Sequence, residues 1–224
     1  MNAASIRGDF DQIACLSDGR EHDNRYFSLL ASFVPRDAKR VLDIGCGLGL
    51  LTARLASRDR HITGVDLSPE MIARARKKST DAGRFLFLCG DFLEQGFTSE
   101  QFDCVISAAT LHHMPTTIAV PRMMELVRRG GRLIIHDVRR DEGLYDQIRS
   151  HFALAQEASL RLLRTGWPRS PRAVRLAWER HCAGEKYLTF REATEMAGRF
   201  LPHAALFYHW LWRYTIVWNK PCAA

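Results

Sequence analysis

The sequence predicts an α/β fold: a mainly parallel sheet with helices on both faces. Three observations predict it. A short apolar run, Arg40 to Ile44, is followed at once by three alternating glycines, Gly45, Gly47 and Gly49, and then by the amphipathic stretch Leu50 to Ala56. Further apolar runs alternate with helical patterns downstream, five βα-like units in all, the order that lays parallel strands side by side. The last stretch, Ala204 to Asn219, has period two, with Leu206, Tyr208, Trp210, Trp212, Tyr214, Ile216 and Trp218 on one side, as a strand pair requires. With 46% hydrophobic residues the 224-residue chain can bury a core, and its length suits one domain, or one with an inserted cap.

In chain order, residues 1–20 show no strong period and are expected to be partly mobile. Asp23 to Phe33 reads as a helix with an apolar stripe of Tyr26, Phe27, Leu29, Leu30 and Phe33, stopped by Pro35. The first strand and its glycine turn come next. Glycines at that turn let the backbone bend sharply and approach a ligand with no Cβ in the way, and the start of a helix favours an anionic group. The pattern is Gly-x-Gly-x-Gly with Asp43 at the strand end, which departs from the dinucleotide fingerprint. A carboxylate there repels a pyrophosphate and attracts an ammonium group. A nicotinamide-dependent dehydrogenase is therefore disfavoured.

The second strand, His61 to Val65, ends at Asp66, about 20 residues after the glycine loop, where an open α/β sheet places the carboxylate that grips a ribose. Ser68, Pro69 and Glu70 supply an N-cap, a first helical residue and an acidic first turn. The third strand, Arg84 to Cys89, runs into Gly90-Asp91-Phe92, and the fourth, Phe102 to Ser107, into Ala108-Ala109-Thr110-Leu111-His112-His113-Met114-Pro115. This second segment is the other lip of the switch-point crevice. Pro121 to Arg129 reads as a helix and Arg132 to Val138 as the fifth strand. Residues 141–185 read as helical segments broken at Gly166-Trp167-Pro168, and Thr189 with Glu192 forms a capping box opening a helix to about Leu201. No Gly or Asn-Gly marks the terminal hairpin, whose turn is expected near Trp210–Arg213.

Charge and cysteines narrow the function classes. The net charge is +7, and Arg149 to Arg180 holds seven arginines against Glu157 and Glu179. A basic cap points to an acidic small substrate, an anionic surface or nucleic acid; the alternative is a solvated helical face. The six cysteines are scattered without a Cys-x-x-Cys pair, so no zinc or other metal site is expected. Cys89 and Cys104 sit in apolar runs and read as reduced core residues, which suits the cytoplasm. No apolar run reaches the length of a membrane span, and Met1 to Phe10 has no signal-peptide core.

Three motifs together resemble the class I S-adenosylmethionine-dependent methyltransferases: Asp43-x-Gly45-x-Gly47-x-Gly49, Asp66-Leu67-Ser68-Pro69-Glu70-Met71, and the segment Leu126 to Ile135 with its Gly130-Gly131 turn. The resemblance is specific over roughly residues 22–140 and looser over 186–220. It implies a Rossmann-like seven-stranded sheet with a terminal antiparallel strand. One domain would span 1–224, with an N-terminal lid helix at about 22–34 and a helical cap at about 141–186. The implied cofactor is S-adenosyl-L-methionine. Asp43, Gly45, Gly47 and Gly49 would hold its amino-acid part, Asp66 its ribose, and Asp91 with Phe92 its adenine. Ala108 would lie beside the sulfonium, and Cys46, Leu67 and Met71 complete the cofactor-binding set.

The Asn/Asp-Pro-Pro-Tyr/Phe motif of amino-methylating relatives is absent. Leu111-His112-His113 is closer to the small-molecule branch, so the expected acceptor is a small, acidic or aromatic molecule. His113 is the first candidate for general base or acceptor-orienting group and His112 the second. His22, Tyr26, Arg164, Trp167, Arg169 and Trp178 are candidates for the acceptor pocket. A nucleic-acid methyltransferase using the basic 149–180 region, and a non-catalytic cofactor-binding protein, stand as alternatives. Acceptor atom and oligomeric state are open.

Overall fold

The computed structural model describes residues 3–16, 24–79, 83–167 and 171–222. Seven strands form one sheet: β1 (Arg40–Ile44), β2 (His61–Asp66), β3 (Phe85–Cys89), β4 (Phe102–Ala108), β5 (Val127–Val138), β6 (Ala205–His209) and β7 (Arg213–Asn219). The helices are α1 (Ala3–Leu16), α2 (Asn24–Phe33), α3 (Leu50–Arg54), α4 (Pro69–Lys78), α5 (Thr116–Leu126), α6 (Gly143–Thr165), α7 (Arg172–Cys182) and α8 (Phe190–Phe200). The sheet order is β3-β2-β1-β4-β5-β7-β6. Strands β1 to β5 pair in parallel, and β7 runs antiparallel to both β5 and β6.

β1 is central because it is buried on both faces. Leu42 and Ile44 point into a core closed by α5 and α8 through Met123, Leu126, Ala193 and Ala197. Val41 points into the opposite layer, where Leu30 of α2, Val34 just beyond that helix and Leu51 of α3 meet Cys104 and Ile106 of β4. Strand alternation thus splits one short run between two layers. From β1 the chain steps to β2 and β3 on one side and then crosses back from β3 to β4 on the other, which opens a crevice at the carboxyl ends of β1 and β4.

Several sequence expectations need correction. Residues 3–16, expected to be partly mobile, form α1. Ile6, Phe10, Ile13 and Ala14 follow helical spacing, and Ile13 and Ala14 pack with Leu48, Met71 and Ala177. Those partners lie far away in sequence, so the stripe had no visible counterpart. The helix expected from Pro121 to Arg129 begins at Thr116 and ends at Leu126. The Pro115 carbonyl accepts from the Ile118 and Ala119 amides and starts it a turn earlier, with Pro121 inside. β5 accordingly begins at Val127, five residues before the expected Arg132. Cys89, read as core, is exposed, because it is the last residue of β3, which is an edge strand of the sheet.

The terminal hairpin turns at Trp210–Trp212 without a glycine. Leu211 (φ 60°) and Trp212 (φ 58°) both adopt the left-handed region, which is uncommon for bulky residues. Helix α6 holds them there. The Trp212 indole donates to Ser150 Oγ at 2.6 Å and the Trp210 indole to Gln156 Oε1 at 2.8 Å, while Trp212 O accepts from the Arg139 amide at 2.8 Å.

Candidate active site

The crevice widens into a cavity of about 660 Å³. Its floor is the glycine loop between β1 and α3. Gly45, Gly47 and Gly49 all have left-handed backbones, with φ of 71°, 51° and 72°. A Cβ on Gly45 would lie 2.0 Å from Thr110 Oγ1, so the loop packs directly on the turn that follows β4. A Cβ on Gly47 would meet nothing within 4 Å and would project into open space. That is the cradle a ligand backbone needs.

Two carboxylates flank the loop. Asp43 is 1% exposed and accepts from Thr52 Oγ1 at 2.6 Å. Burial pushes its carboxyl up to about 6; the Thr52 hydrogen bond opposes this, and the charge of Asp66 adds to it. Asp66 takes the Gly47 amide on Oδ2 (2.8 Å) and the Ser68 amide on Oδ1 (2.9 Å). One carboxylate thereby fixes the glycine loop against the end of β2, and each oxygen keeps a second lone pair for a ligand hydroxyl. Burial raises the Asp66 carboxyl, opposed by those two amides. Asp91 caps the turn Phe92–Glu94 by accepting from the Leu93 amide at 2.9 Å, and Phe92 is buried beside it.

Of the expected cofactor residues, Asp43, Gly45, Cys46, Gly47, Asp66, Leu67, Met71, Asp91, Phe92 and Ala108 all border this one cavity. Gly49 does not. It starts α3, and its amide donates to the Cys46 carbonyl. The far wall belongs to other elements: Phe10 and Ile13 of α1, Tyr26 of α2, Trp178 and His181 of α7, Tyr187, and the hairpin turn Leu211–Arg213. Among the expected pocket residues Tyr26 lines the wall, its hydroxyl donating to the Trp210 carbonyl. Trp167 does not: it is 74% exposed just beyond α6, and Trp178 stands in the wall instead. His22 and Arg169 lie outside the described residues; Arg164 belongs to α6, with its side chain outside them.

His112 and His113 occupy the turn after β4, opposite the glycine loop. Asp137, at the end of β5, grips His112 twice: Oδ2 accepts the backbone amide at 2.8 Å and Oδ1 lies 2.6 Å from Nδ1. Burial acts to lower the His112 pKa, but the charge and hydrogen bond of Asp137 outweigh it and leave it raised. The same pairing holds the buried Asp137 carboxyl below its ordinary value, against the effect of burial. His113, the first candidate for general base from sequence, is pushed down to about 3, first by burial and then by His112 and His181. It is a neutral imidazole and a weak proton acceptor. His181, its pKa lowered mainly by burial, sits on α7 with its ring centroid 5.1 Å from that of His113. Sequence reasoning missed Asp137 and His181; the strand-end position of Asp137 beside β4 was the one available signal.

The family model described as "Methyltransferase domain" matches residues 41–131. An uncharacterized methyltransferase of Mycobacterium tuberculosis is 39% identical over 111 residues, 49% of this chain and 56% of that protein. The ubiquinone biosynthesis O-methyltransferase of Aeromonas salmonicida is 36% identical over 110 residues, 48% of this chain and 46% of its own length. The chain thus spans about half the length of these curated relatives. In fold it is similar to the magnesium protoporphyrin IX methyltransferase of Synechocystis, solved with bound S-adenosylhomocysteine, at a TM-score of 0.63 and 16% identity over 98% of this chain and 100% of that one. The strand order, the Asp-flanked glycine loop and the matched domain agree: residues 41–131 belong to the methyltransferase domain family, and the fold around them is similar to that of the class I S-adenosylmethionine-dependent methyltransferases.

Proposed function

We propose that the protein methylates a small-molecule acceptor enclosed in the cavity. The observation that carries this reading is the continuity of one chamber. It runs from the glycine loop and the two carboxylates, past the histidine turn, to a wall of Phe10, Tyr26, Trp178 and Tyr187. Its volume falls in the range of about 300–1,000 Å³ typical of small-molecule sites. The floor fits the superfamily's cofactor: the cradle at Gly47 is open to a ligand, and the buried Asp43 and half-buried Asp66 are acids suited to an ammonium and to vicinal hydroxyls. When bound, S-adenosylmethionine supplies an activated methyl group on a sulfonium. Asp43 with the glycine loop would hold the amino-acid part, Asp66 the ribose, Asp91 and Phe92 the adenine, and Ala108 would border the transfer point. His112 and His113 would meet the acceptor's nucleophilic atom. The aromatic wall orients the acceptor and excludes water. Such alignment is worth an effective molarity on the order of 10⁵–10⁸ M.

The O-methyltransferase relative favours an oxygen acceptor, and the aromatic wall favours a flat one. The nucleic-acid reading is weaker because part of the cap's charge is engaged internally: Arg149 lies over the rings of Tyr208 and Trp210, and Arg180 donates to Gln12 Oε1 at 2.9 Å. A panel of phenolic and carboxylic small molecules, with S-adenosylhomocysteine release as the readout, tests the proposal. Turnover of at least one such compound supports it. Turnover confined to RNA or DNA, with salt-dependent binding, refutes it.

A further inference from the structure

The histidine cluster carries an arrangement that methyl transfer alone does not require. His112, His113 and His181 come from two separate elements, and one ligand atom from each ring lies within 4.8 Å of the others. Each ring has a different carboxylate at Nδ1. Asp137 Oδ1 is 2.6 Å from His112, Glu185 Oε1 is 3.1 Å from His113, and Asp9 Oδ2 is 3.4 Å from His181. The side chains of the three histidines are 6%, 5% and 2% exposed, and all three border the cavity.

A neutral imidazole has one donor and one acceptor nitrogen. With carboxylates drawing the proton to Nδ1, the atom left on each ring is a lone pair at Nε2. Among the described residues, neither His113 nitrogen nor Glu185 Oε1 makes an aligned hydrogen bond, although Nδ1 and Oε1 approach to 3.1 Å. Buried, clustered and unsatisfied lone pairs are costly without a cation or donor between them. A carboxylate behind each imidazole is the second-shell pattern of metal-bound histidine, where it fixes the tautomer and orients the ring.

We propose that His112, His113 and His181 bind one divalent transition-metal ion of the zinc type through Nε2, with Asp137, Glu185 and Asp9 as their orienting partners and a fourth position open to the chamber. Three imidazoles select a borderline ion; magnesium and calcium prefer oxygen ligands. Metal–nitrogen bonds of about 2.0–2.1 Å in a tetrahedron set ligand atoms about 3.4 Å apart, inside the 4.8 Å within which one nitrogen of each ring already lies, so binding draws the rings together. The use of the open position to take an acceptor oxygen rests on the methyl-transfer reading. The binding of the metal does not.

The test uses the full chain without an affinity tag, stripped by a chelator and titrated with Co²⁺ alone, followed by visible absorption, and with Zn²⁺ alone by calorimetry. The expected result is one equivalent bound, with the ligand-field bands of low-coordinate cobalt that Zn²⁺ abolishes. His181→Ala should weaken cobalt binding at least a hundredfold while leaving S-adenosylmethionine affinity unchanged, and Asp9→Asn and Glu185→Gln should each weaken it about 10–100-fold. His181→Gln, which fills the same space, guards against loss of fold in the alanine variant. A chain that binds S-adenosylmethionine but gives no cobalt spectrum overturns the proposal, as does a spectrum unchanged by either His181 substitution. A chain that takes cobalt but no S-adenosylmethionine leaves the metal site standing and removes the methyl-transfer reading.

Discussion

Asp43→Asn separates what the buried carboxylate does for the fold from what it does for the ligand. Its carboxyl is pushed from 3.8 to about 6, chiefly by burial, and each factor of ten in acidity is about 1.4 kcal/mol. Holding the charge at neutral pH therefore costs the ligand-free protein about 3 kcal/mol. The sign follows from proton uptake. Between about pH 4 and 6 the folded chain holds this proton and the unfolded chain has lost it, so the carboxyl's contribution to stability falls as pH rises and levels off above 6. Asparagine removes that penalty and keeps an acceptor for Thr52 Oγ1, but its amide donors need partners, which costs about 1–2 kcal/mol. The net gain expected at pH 7 is about 1–2 kcal/mol, or about 2–8 °C in Tm for a chain of this length. At pH 4 the gain should vanish or reverse. S-adenosylmethionine affinity should drop about 10–100-fold with loss of a charged partner worth about 1.5–3 kcal/mol. Thermal melts at pH 4 and 7 without ligand, and calorimetry with S-adenosylmethionine, measure both. A variant that melts no higher relative to the parent at pH 7 than at pH 4 refutes the reasoning about burial; unchanged affinity refutes the assignment of Asp43 to the ammonium.

Asp66→Ala strips the Gly47 and Ser68 amides of their acceptor; it should cost about 1–3 kcal/mol for each amide left buried and abolish S-adenosylmethionine binding by calorimetry. Gly47→Ala adds a methyl at φ 51° into the open cradle. It should lose about 1–2 kcal/mol in a denaturant melt and weaken the cofactor at least tenfold, and retained affinity would show that the cradle faces elsewhere. Thr189→Ala breaks both halves of the capping box of α8, a change expected to cost about 1 kcal/mol without altering the cofactor's dissociation constant. Tyr26→Phe removes the hydroxyl bond to Trp210 and should raise an acceptor's KM more than the cofactor's; an equal rise in both would place Tyr26 on the cofactor side.

The floor of the cavity was legible because each of its parts is local. An apolar strand, alternating glycines and a strand-end acid lie within a few residues of one another, and the sheet then sets their spacing. The wall was less legible because it is assembled from distant pieces. Helix α1 carries a helical stripe, but Leu48, Met71 and Ala177, which bury it, come from three other segments. Trp167 and Trp178 read alike in sequence, and α7 turns the second inward while the first stays exposed. His181 pairs with Asp9 across almost the whole chain, a relation that no spacing encodes. The hairpin turn was placed near Trp210–Arg213 from period alone; the reason bulky residues tolerate it lies on α6.

That turn has a consequence for how the enzyme can diversify. Leu211 and Trp212 face the chamber, yet the turn is secured from behind by α6, where Ser150 accepts from the Trp212 indole and Gln156 from the Trp210 indole. Replacing those two supports would reshape the acceptor's side of the vestibule from outside while the nucleoside end stayed untouched. On the proposed function, selectivity for what is methylated and affinity for the methyl source would be written in different parts of the molecule, and one could drift without the other.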